Sequence, residues 1–447
     1  MCQTCPKSGT CAKKGRDNPH DQPGGKHKFA SKDCTRNHRS GAPEKSQGPS
    51  VRFGSRGKNS APSWSHSGRN RSSAYGRNTR KPLDYSKFIK KASRVSDVEE
   101  YVAKHKFSDF AVADKLKRNI RARGYETPTP IQDGAIPLVL DGRDVIGIAD
   151  TGTGKTAVFL IPLINKVIKD PRQKALIIAP TRELATQIDT ELRSFSHGMR
   201  IFSVQCIGGA NIDRQIRGLS RNPQFVIGTP GRINDLIKRG KLRLGNVQNV
   251  VVDEVDRMLD MGFIVDVREL LSFLPQSRQS LFFSATVSGE ISTLIRTFSN
   301  NPVTVAIKST VTSDNIDQDI VRVRGSRNKI ETLHDLLVQD DFRKVLIFGK
   351  TKRGVERLSK ELHTRGFKTT SIHGDKSQSK REKALQLFKQ NHLNILVATD
   401  VAARGLDIDT VTHVINYDPP ESYGDYIHRI GRTGRANKQG VALTFVD

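Results

Sequence analysis

A glycine-rich segment at residues 149–156, Ala-Asp-Thr-Gly-Thr-Gly-Lys-Thr, follows directly on an apolar run. Gly152 and Gly154 let the backbone bend so that its N–H groups point at phosphate oxygens, and a helix that begins near Lys155 adds the positive end of its dipole. We expect Lys155 to reach the β and γ phosphates of a nucleotide and the Thr156 hydroxyl to bind Mg²⁺. The segment therefore predicts a strand, a phosphate-binding loop and a helix, in that order.

An acidic segment, Asp-Glu-Val-Asp at residues 253–256, follows three consecutive valines at residues 250–252. A carboxylate at the end of a buried strand can hold the magnesium ion of a bound triphosphate, and its neighbour can orient or deprotonate the attacking water. We assign these roles to Asp253 and Glu254. A glycine-rich turn without a ligand is the alternative for residues 149–156 taken alone. With the acidic segment present, the pattern favours hydrolysis of ATP or GTP.

The charge of the chain is strongly positive and unevenly distributed. Lys and Arg number 74 against 46 Asp and Glu, a formal charge of +28, and residues 1–81 carry half of that excess. Such a surplus predicts a polyanionic partner, most simply nucleic acid. Residues 1–95 are too poor in apolar side chains to offset the entropy of ordering, so they predict a disordered basic tail. Its interspersed aromatic residues suit stacking on single strands; a merely solubilising tail is the alternative.

The cysteine content does not indicate a disulfide framework, because five cysteines are few for a chain of 447 residues. A zinc site formed by the N-terminal cysteines and nearby histidines is an alternative, which the long spacing between them disfavours. No apolar run approaches the length of a membrane span, and the N-terminus lacks the apolar stretch of a signal peptide. We therefore expect a soluble cytoplasmic protein without a membrane partner. The cysteines are Cys2, Cys5, Cys11, Cys34 and Cys206.

From residue 107 onward, short apolar segments alternate with amphipathic helical segments, as is typical of a parallel sheet covered by helices on both faces. We expect two such α/β domains, at residues 96–308 and 319–447, joined by a linker at residues 309–318 and preceded by the tail. The site should lie in the cleft between them, facing the carboxyl ends of the strands. The predicted strands are residues 144–149, 174–179, 201–207, 225–229, 250–253, 280–285, 320–323, 345–348, 369–373, 395–399, 413–416 and 441–446.

The segment before the phosphate loop carries a candidate base-recognition residue. Gln132 has both a carboxamide donor and an acceptor, the pair needed to read the N6 and N7 edge of adenine, and Phe107 is placed to stack on the base. A glutamine-capped turn around two prolines is the alternative for this segment alone.

Eight motifs follow one another along the chain: Phe107 with residues 124–132, then residues 149–156, 180–185, 229–232, 253–256, 284–286, 398–407 and 428–435. In this order they resemble the motifs of the DEAD-box RNA helicases of superfamily 2, and the body is most similar to the bacterial branch. The resemblance covers residues 107–447 and implies two tandem RecA-like domains and an ATP-dependent RNA helicase. Val255 stands where the family name has alanine, and we expect activity to survive because Asp253 and Glu254 are unchanged.

The resemblance assigns roles that the residues alone leave open. It implies that Gln132 recognises adenine and so selects ATP over GTP. Arg432 and Arg435 resemble arginine fingers that reach the γ phosphate from the second domain, which would make hydrolysis conditional on closure. Asp407 would contact the ribose from that same domain. The full nucleotide-binding set is Phe107, Thr127, Gln132, Thr151, Gly152, Thr153, Gly154, Lys155, Thr156 and Asp407.

The same resemblance implies an RNA surface that crosses both domains, and a set of residues that couples the state of ATP to that of RNA. The coupling residues are Asp256, Ser284, Thr286 and His428. The RNA-binding residues are Thr181, Arg182, Gly208, Gly209, Thr229, Gly231, Arg232, Thr351, Gln378, Arg381, Thr399, Asp400 and Arg404.

The expected reaction is local separation of RNA strands, driven by ATP with Mg²⁺, by a monomer whose tail holds RNA nearby. Ribonucleoproteins, RNA-decay factors or ribosome-assembly factors are possible partners. An ATP-gated RNA clamp with little unwinding requires the same motifs and stays open as an alternative. A DNA helicase of the same superfamily is disfavoured by the form of the segment around Gln132.

Overall fold

A computed structural model describes residues 84–92, 101–150, 152–307, 315–323, 326–403, 411–434 and 439–446, with only the backbone at 326–328. The predicted tail lies almost wholly outside these residues, and so does the zinc alternative that involves its cysteines. Four predicted site residues also lie outside the described residues: Thr151, Arg404, Asp407 and Arg435.

The first domain is built on a seven-stranded sheet, in the order β3-β4-β2-β5-β6-β1-β7, with every described pairing parallel. Its inner strands are mostly apolar because helices cover both faces. The strands are β1 (Val145–Ile148), β2 (Ala175–Ile178), β3 (Ser203–Cys206), β4 (Phe225–Gly228), β5 (Asn249–Val252), β6 (Gln279–Ser284) and β7 (Val303–Ala306).

The second domain is built on a six-stranded sheet, in the order β10-β11-β9-β12-β13-β8, and its described pairings are parallel as well. The strands are β8 (Ile316–Arg322), β9 (Val345–Phe348), β10 (Thr369–Ile372), β11 (Ile395–Ala398), β12 (His413–Asn416) and β13 (Gly440–Val446).

Helices connect successive strands in both domains. Those of the first domain are α1 (Asp114–Ala122), α2 (Pro130–Leu140), α3 (Lys155–Lys169), α4 (Arg182–Phe195), α5 (Ile212–Leu219), α6 (Pro230–Lys238), α7 (Val255–Asp260), α8 (Ile264–Ser272) and α9 (Gly289–Phe298). Those of the second domain are α10 (Ser326–Leu337), α11 (Lys352–Thr364), α12 (Gln378–Lys389), α13 (Asp400–Ala403) and α14 (Tyr423–Ile430). A short 3₁₀ helix, Tyr85–Phe88, precedes them.

Each sheet separates two hydrophobic cores, because successive side chains of a strand point to opposite faces. In the first domain Ile177 and Val251 belong to one core, whereas Ile178 and Val252 belong to the other. The second domain repeats the arrangement on the two faces of its own sheet. The two predicted α/β domains with parallel sheets are therefore confirmed.

All twelve predicted strands are present, and the differences are at the domain edges. Strand β7 was not predicted, because its four residues are followed by the polar stretch and half of them are exposed. Strand β8 begins at Ile316, inside the residues predicted as a linker. Its start was not predicted because Asp317, Gln318 and Asp319 interrupt the apolar residues of the strand. None of the helices in the described ranges is long and apolar enough to span a bilayer.

Candidate active site and nucleic-acid interface

The phosphate loop connects the end of β1 to the start of α3, as the sequence predicts. Gly152 and Gly154 both have φ of +87°, a backbone conformation that side chains with a Cβ atom rarely adopt. A Cβ atom at Gly154 would also overlap the side-chain amide of Gln132. Both glycines are therefore required by the path of the loop, which leaves its N–H groups free to point inward at a ligand.

Lys155 lies at the first position of α3 and is only 6% exposed. Its ammonium group donates a hydrogen bond of 2.8 Å to the carbonyl oxygen of Ala149, across the loop. This bond holds the cation over the loop, where a bound phosphate would meet it.

The two carboxylates predicted to be catalytic follow β5, which is separated from β1 only by β6. Asp253 and Glu254 are 3% and 5% exposed. Burial raises the pKa of Asp253 to about 7; the charge of Lys155 opposes this shift, and the carboxylates of Glu254 and Asp256 add to it. A divalent cation at this carboxylate would favour its ionised form.

The backbone at Glu254 is in the left-handed region, with φ of +54° and ψ of +53°. A residue with a side chain is uncommon in this conformation, which tends to occur at functional sites. It turns the chain from β5 into α7. The Glu254 carboxylate lies 3.4 Å from Nε of Arg257, which is itself 1% exposed. Arg257 thus supplies a buried positive charge beside the residue predicted to orient water.

Asp256 joins the acidic segment to the loop that follows β6. Its Oδ2 accepts hydrogen bonds from the backbone N–H groups of Ala285 and Thr286, at 3.0 and 2.9 Å. The backbone N–H of Asp256 donates to Oγ of Ser284 at 3.2 Å. Val255 is fully buried in the core of this face, so the extra methyl groups relative to alanine are accommodated by packing. Three of the four predicted coupling residues therefore form one cluster.

Gln132 connects the start of α2 to the phosphate loop. Its Oε1 accepts from the backbone N–H of Thr129 at 2.9 Å, and its Nε2 donates to the carbonyl oxygen of Gly154 at 3.1 Å. These contacts use one amide hydrogen and one lone pair, so the carboxamide retains capacity for a base. Phe107 is 3% exposed and packs edge-on against Phe110 and Tyr125. Adenine recognition by both residues stays a prediction.

A buried carboxylate next to Gln132 anchors the chain that leads into this site. Asp133 accepts hydrogen bonds from the Tyr101 hydroxyl at 2.5 Å and from the backbone N–H groups of Lys104 and His105 at 2.7 and 3.2 Å. The imidazole of His105 lies 2.6 Å from the same carboxylate. These hydrogen bonds lower the pKa of Asp133 against the opposing effect of its burial. Asp133 was not predicted from the sequence as a site residue.

In the second domain, α14 carries His428 and leads to Arg432. Arg432 is 3% exposed, and its Nε donates to the carbonyl oxygen of His428 at 3.4 Å. The helix is anchored by Arg429, whose Nε and Nη2 donate to the two carboxylate oxygens of Asp400 at 2.6 and 2.7 Å. Asp400, predicted to contact RNA, thus also has a structural role.

The predicted RNA-binding residues of the first domain follow β2, β3 and β4, which are neighbours in the sheet. Their loops meet because the carboxyl ends of parallel strands share one edge. The guanidinium of Arg182 lies against Gly208 and Gly209, where any Cβ atom would press on it. Arg232 donates to the carbonyl oxygen of Ala210 at 3.3 Å. Thr181 and Thr229 precede α4 and α6 as their N-cap residues.

The corresponding residues of the second domain follow β9, β10 and β11, again three neighbouring strands. Thr351 is the N-cap residue of α11, and Gln378 begins α12. The guanidinium of Arg381 lies 2.9 Å from the carboxylate of Glu183 in the first domain, and both side chains are buried. Gln378 donates to the same carboxylate at 3.3 Å. Two predicted RNA-binding residues therefore also join the domains.

A basic face of α5 was not predicted. Arg214 and Arg217 on this helix, and Arg221 just after it, are exposed, and within the described residues no carboxylate pairs with them. They line a cleft of about 850 Å³ that also includes Gly209 and, from the second domain, Gln378. This basic surface continues the row of predicted RNA-binding residues.

Comparisons with known proteins agree with this geometry. Residues 129–294 match the family model of the DEAD/DEAH box helicase, and residues 328–437 match that of the helicase conserved C-terminal domain. The ATP-dependent RNA helicase CshA of Limosilactobacillus reuteri is 48% identical over 343 residues, which are 76% of this chain and 69% of that protein. The chain belongs to the DEAD-box ATP-dependent RNA helicases.

Other helicases of this family are also similar to this chain in sequence or in structure. The DEAD-box ATP-dependent RNA helicase CshA of Bacillus subtilis is 47% identical over 342 residues, 76% of this chain and 69% of that protein. Dbp5 of S. cerevisiae bound to RNA and ADP BeF3 has a TM-score of 0.68 and 31% identity, with coverage of 76% and 89%. Mss116p bound to ssRNA and AMP-PNP has a TM-score of 0.70 and 29% identity, with coverage of 78% and 76%. The bacterial relatives and the RecA-like fold confirm the predicted DEAD-box helicase.

Three features of the helicase site were missed at the sequence level. The pairing of Arg257 with Glu254 has the helical i, i+3 spacing, which gives a weak signal. The Asp133 cluster depends on residues 28 to 32 positions apart and gives none. The arginines at positions 214, 217 and 221 have the spacing of one helix face, which was the available signal.

Proposed function

We propose that this helicase binds ATP with Mg²⁺ between its two domains, closes on single-stranded RNA, and uses hydrolysis to reopen after local strand separation. The observation that carries the proposal is the convergence of the phosphate loop, the two buried carboxylates and Asp256 at the ends of β1, β5 and β6. In the relatives Dbp5 and Mss116p, RNA and an ATP analogue are bound together.

The residues fit a magnesium ion held together with phosphates. Mg²⁺ in such sites takes one or two protein ligands, retains waters, and binds the substrate phosphates. Asp253 would supply an oxygen at the end of β5, and Thr156 would supply a hydroxyl at the start of α3. The bound ion would neutralise charge on the phosphates during transfer.

Hydrolysis then depends on groups from both domains. Lys155 would contact the β and γ phosphates, and Glu254 would orient the attacking water, held in place by its strained backbone and by Arg257. Arg432, on the second domain, would stabilise charge on the γ phosphate when the domains meet. The ion pair between Glu183 and Arg381 supports a closed arrangement, because it joins the same two domains beside the RNA-binding residues.

RNA would follow the carboxyl edges of the two sheets. Backbone N–H groups near Gly208 and Gly209, with Arg182 and Arg232, would contact its phosphates, and Thr351 would continue the path on the second domain. Contacts with the 2′-hydroxyl groups would select RNA over DNA. The bacterial relatives support action in the cytoplasm.

The test is separation of a short RNA duplex by the full-length protein, with ATP and with a non-hydrolysable ATP analogue. We expect repeated turnover only with ATP. Glu254→Gln should bind ATP and RNA but lose turnover, because the carboxylate that orients water is gone while the phosphate contacts are kept. Equal multiple-turnover separation with ATP and with the analogue would refute the hydrolytic cycle and favour a clamp.

A further inference from the structure

Residues 84–92, which we call the strap, precede the first domain in sequence but pack against the second. Phe88 of the strap is fully buried. It shares a small hydrophobic core with four residues of the second domain: Ile316, Tyr426, Ile430 and Ala442. The strap lies outside both regions that match the helicase family models. It is therefore an element added to the second domain by a distant part of the chain.

Aromatic rings form the centre of this contact. The ring of Phe88 stacks on that of Tyr426 with centroids 4.1 Å apart and planes 19° from parallel. Tyr423 lies on the same side, 6.5 Å away and 13° from parallel. Tyr85 meets Phe88 edge-on at 5.7 Å. Stacked and edge-on rings at these separations attract each other beyond the effect of burial.

The backbone of the strap adds directed contacts. Lys90 and Gln318 form an antiparallel bridge, in which each backbone N–H donates to the other carbonyl oxygen, at 2.9 and 2.8 Å. The backbone N–H of Ala92 donates to Oδ1 of Asp317 at 2.9 Å. Strand β8, which carries both partners, is the edge strand of its sheet. The strap thus covers hydrogen-bonding groups that an edge strand otherwise exposes.

The chain then returns to the first domain over a short distance in sequence. The hydroxyl of Tyr101 donates a hydrogen bond to Asp133, the residue next to Gln132. Only nine residue steps separate Ala92 from Tyr101, and these span at most about 30 Å. The direct connection between the domains, from Ala306 to Ile316, has ten steps. The two domains are therefore joined by two connections of similar maximum reach.

The strap also contacts the helix that leads to the predicted arginine finger. Tyr426 and Ile430, which contact Phe88, lie on α14, and Arg432 follows two residues after Ile430. Docking of the strap therefore attaches the stretch of chain that precedes the segment around Gln132 to helix α14. This helix leads to Arg432, which would complete the ATP site from the second domain.

We propose that the strap is an intramolecular docking element that limits how far the two domains separate between rounds of ATP hydrolysis. A restrained open state raises the effective concentration of one domain at the other and so favours closure on RNA. This inference rests on the proposed function, because it concerns the closure step. A strap that only stabilises the second domain is the competing account.

Lengthening the second connection separates the two accounts. In the full-length protein, twenty glycine and serine residues would be inserted between residues 96 and 97, which leaves the described contacts of residues 84–92 intact. The matched control carries the same insertion between residues 82 and 83, before the strap. ATP hydrolysis would be measured as single-stranded RNA is titrated.

We expect the insertion after the strap to raise the RNA concentration for half-maximal ATPase about two- to fivefold. This is below the roughly sixfold change that the −3/2 power of tether length gives for that connection alone, because the direct connection between the domains is unchanged. The rate at saturating RNA should not change, and the control should match the unmodified protein. Equal RNA requirements for the two insertions would overturn the proposal. If the unmodified protein shows no stimulation by RNA, the proposed function fails instead.

Hydrogen exchange tests docking without reference to activity. In the ligand-free protein, the peptide containing residues 84–92 should be protected, and it should stay protected in both insertion variants. Phe88→Ala should remove the protection, whereas Phe88→Leu should retain most of it. Absence of protection in the unmodified protein would overturn the docking itself.

Discussion

The anchoring of α14 by Arg429 gives a prediction that can be worked from the structure. The guanidinium makes four hydrogen bonds: two to Asp400 at 2.6 and 2.7 Å, one to Oδ1 of Asn416 at 3.2 Å, and one to the carbonyl oxygen of Asp418 at 2.7 Å. Arg429 is 2% exposed, so these bonds satisfy a buried charge. Removing either member of the ion pair should therefore loosen the helix that leads to Arg432.

The two members should not contribute equally. Arg429→Met leaves two acceptors without a donor, the buried Oδ1 of Asn416 and the partly buried carbonyl oxygen of Asp418. The side chain of Asp400, 26% exposed, can be rehydrated. We therefore expect the free energy of unfolding to fall by about 3 kcal/mol. Asp400→Ala leaves a buried guanidinium without its counter-charge. We expect the free energy of unfolding to fall by about 4 kcal/mol. The free energy of unfolding of the double variant should fall by about 3 kcal/mol, as in Arg429→Met alone, rather than by the sum, because without the guanidinium the loss of Asp400 leaves no buried charge unpaired.

The stability of the second domain can be measured by urea unfolding, with hydrogen exchange followed in its strands β9 and β12. A probe within this domain is needed because two domains seldom unfold in one transition. Lys350→Met is the matched control, because its ion pair with Glu421 is largely exposed and should contribute less than about 1 kcal/mol. A loss for Arg429→Met no greater than that of the control would refute the reasoning. So would a smaller loss for Asp400→Ala than for Arg429→Met.

Three further predictions concern other parts of the chain. Gly154→Ala should abolish ATP binding in a fluorescent-nucleotide titration, since both the positive φ and the contact with Gln132 exclude a side chain; retained affinity would contradict this. The Ser371 hydrogen bond is the largest cause that lowers the pKa of Glu356 to about 2. Its carboxylate therefore stabilises the fold above its ordinary pKa near 4.5, and this contribution disappears as pH falls toward 2; Glu356→Gln should cost about 1 kcal/mol at pH 7, allowing for solvent screening, and nothing at pH 2. Removing the three exposed arginines on and just after α5, beside Gly209, should weaken RNA binding and reduce the slope of log affinity against log salt concentration by about 2 in magnitude. A control triple variant at the opposite, amino-terminal edge of the sheet should not. The test variant is Arg214→Gln, Arg217→Gln, Arg221→Gln, and the control is Lys169→Gln, Arg172→Gln, Arg243→Gln.

Most of the fold was predictable because it depends on local patterns. Apolar runs such as residues 250–252 lie in the sheet interior, and their burial on both faces produces an unbroken apolar sequence. The loop at Gly152 and Gly154 was predictable because its conformation needs residues without a Cβ atom. Strand β7 was not, since an edge strand with half-exposed residues has no strong pattern.

The parts of the site that were missed depend on contacts between distant residues. Asp133 appears in the sequence as one more polar residue of a helix, and only folding brings Tyr101 to it. The strap falls within the residues predicted as a disordered tail, because its four apolar residues follow a long polar and basic stretch and cannot form a core alone. Phe88 is buried by residues more than 200 positions later, which no local pattern reveals.

The central claim is that the ATP site becomes complete only when the second domain closes on RNA. The most direct test is the rate of ATP hydrolysis by the full-length protein at saturating ATP, with no nucleic acid, with single-stranded RNA and with single-stranded DNA of the same sequence. We predict slow hydrolysis alone and with DNA, and an increase of roughly tenfold or more with RNA, equivalent to at least about 1.4 kcal/mol of barrier. The same rate in all three conditions would contradict the account.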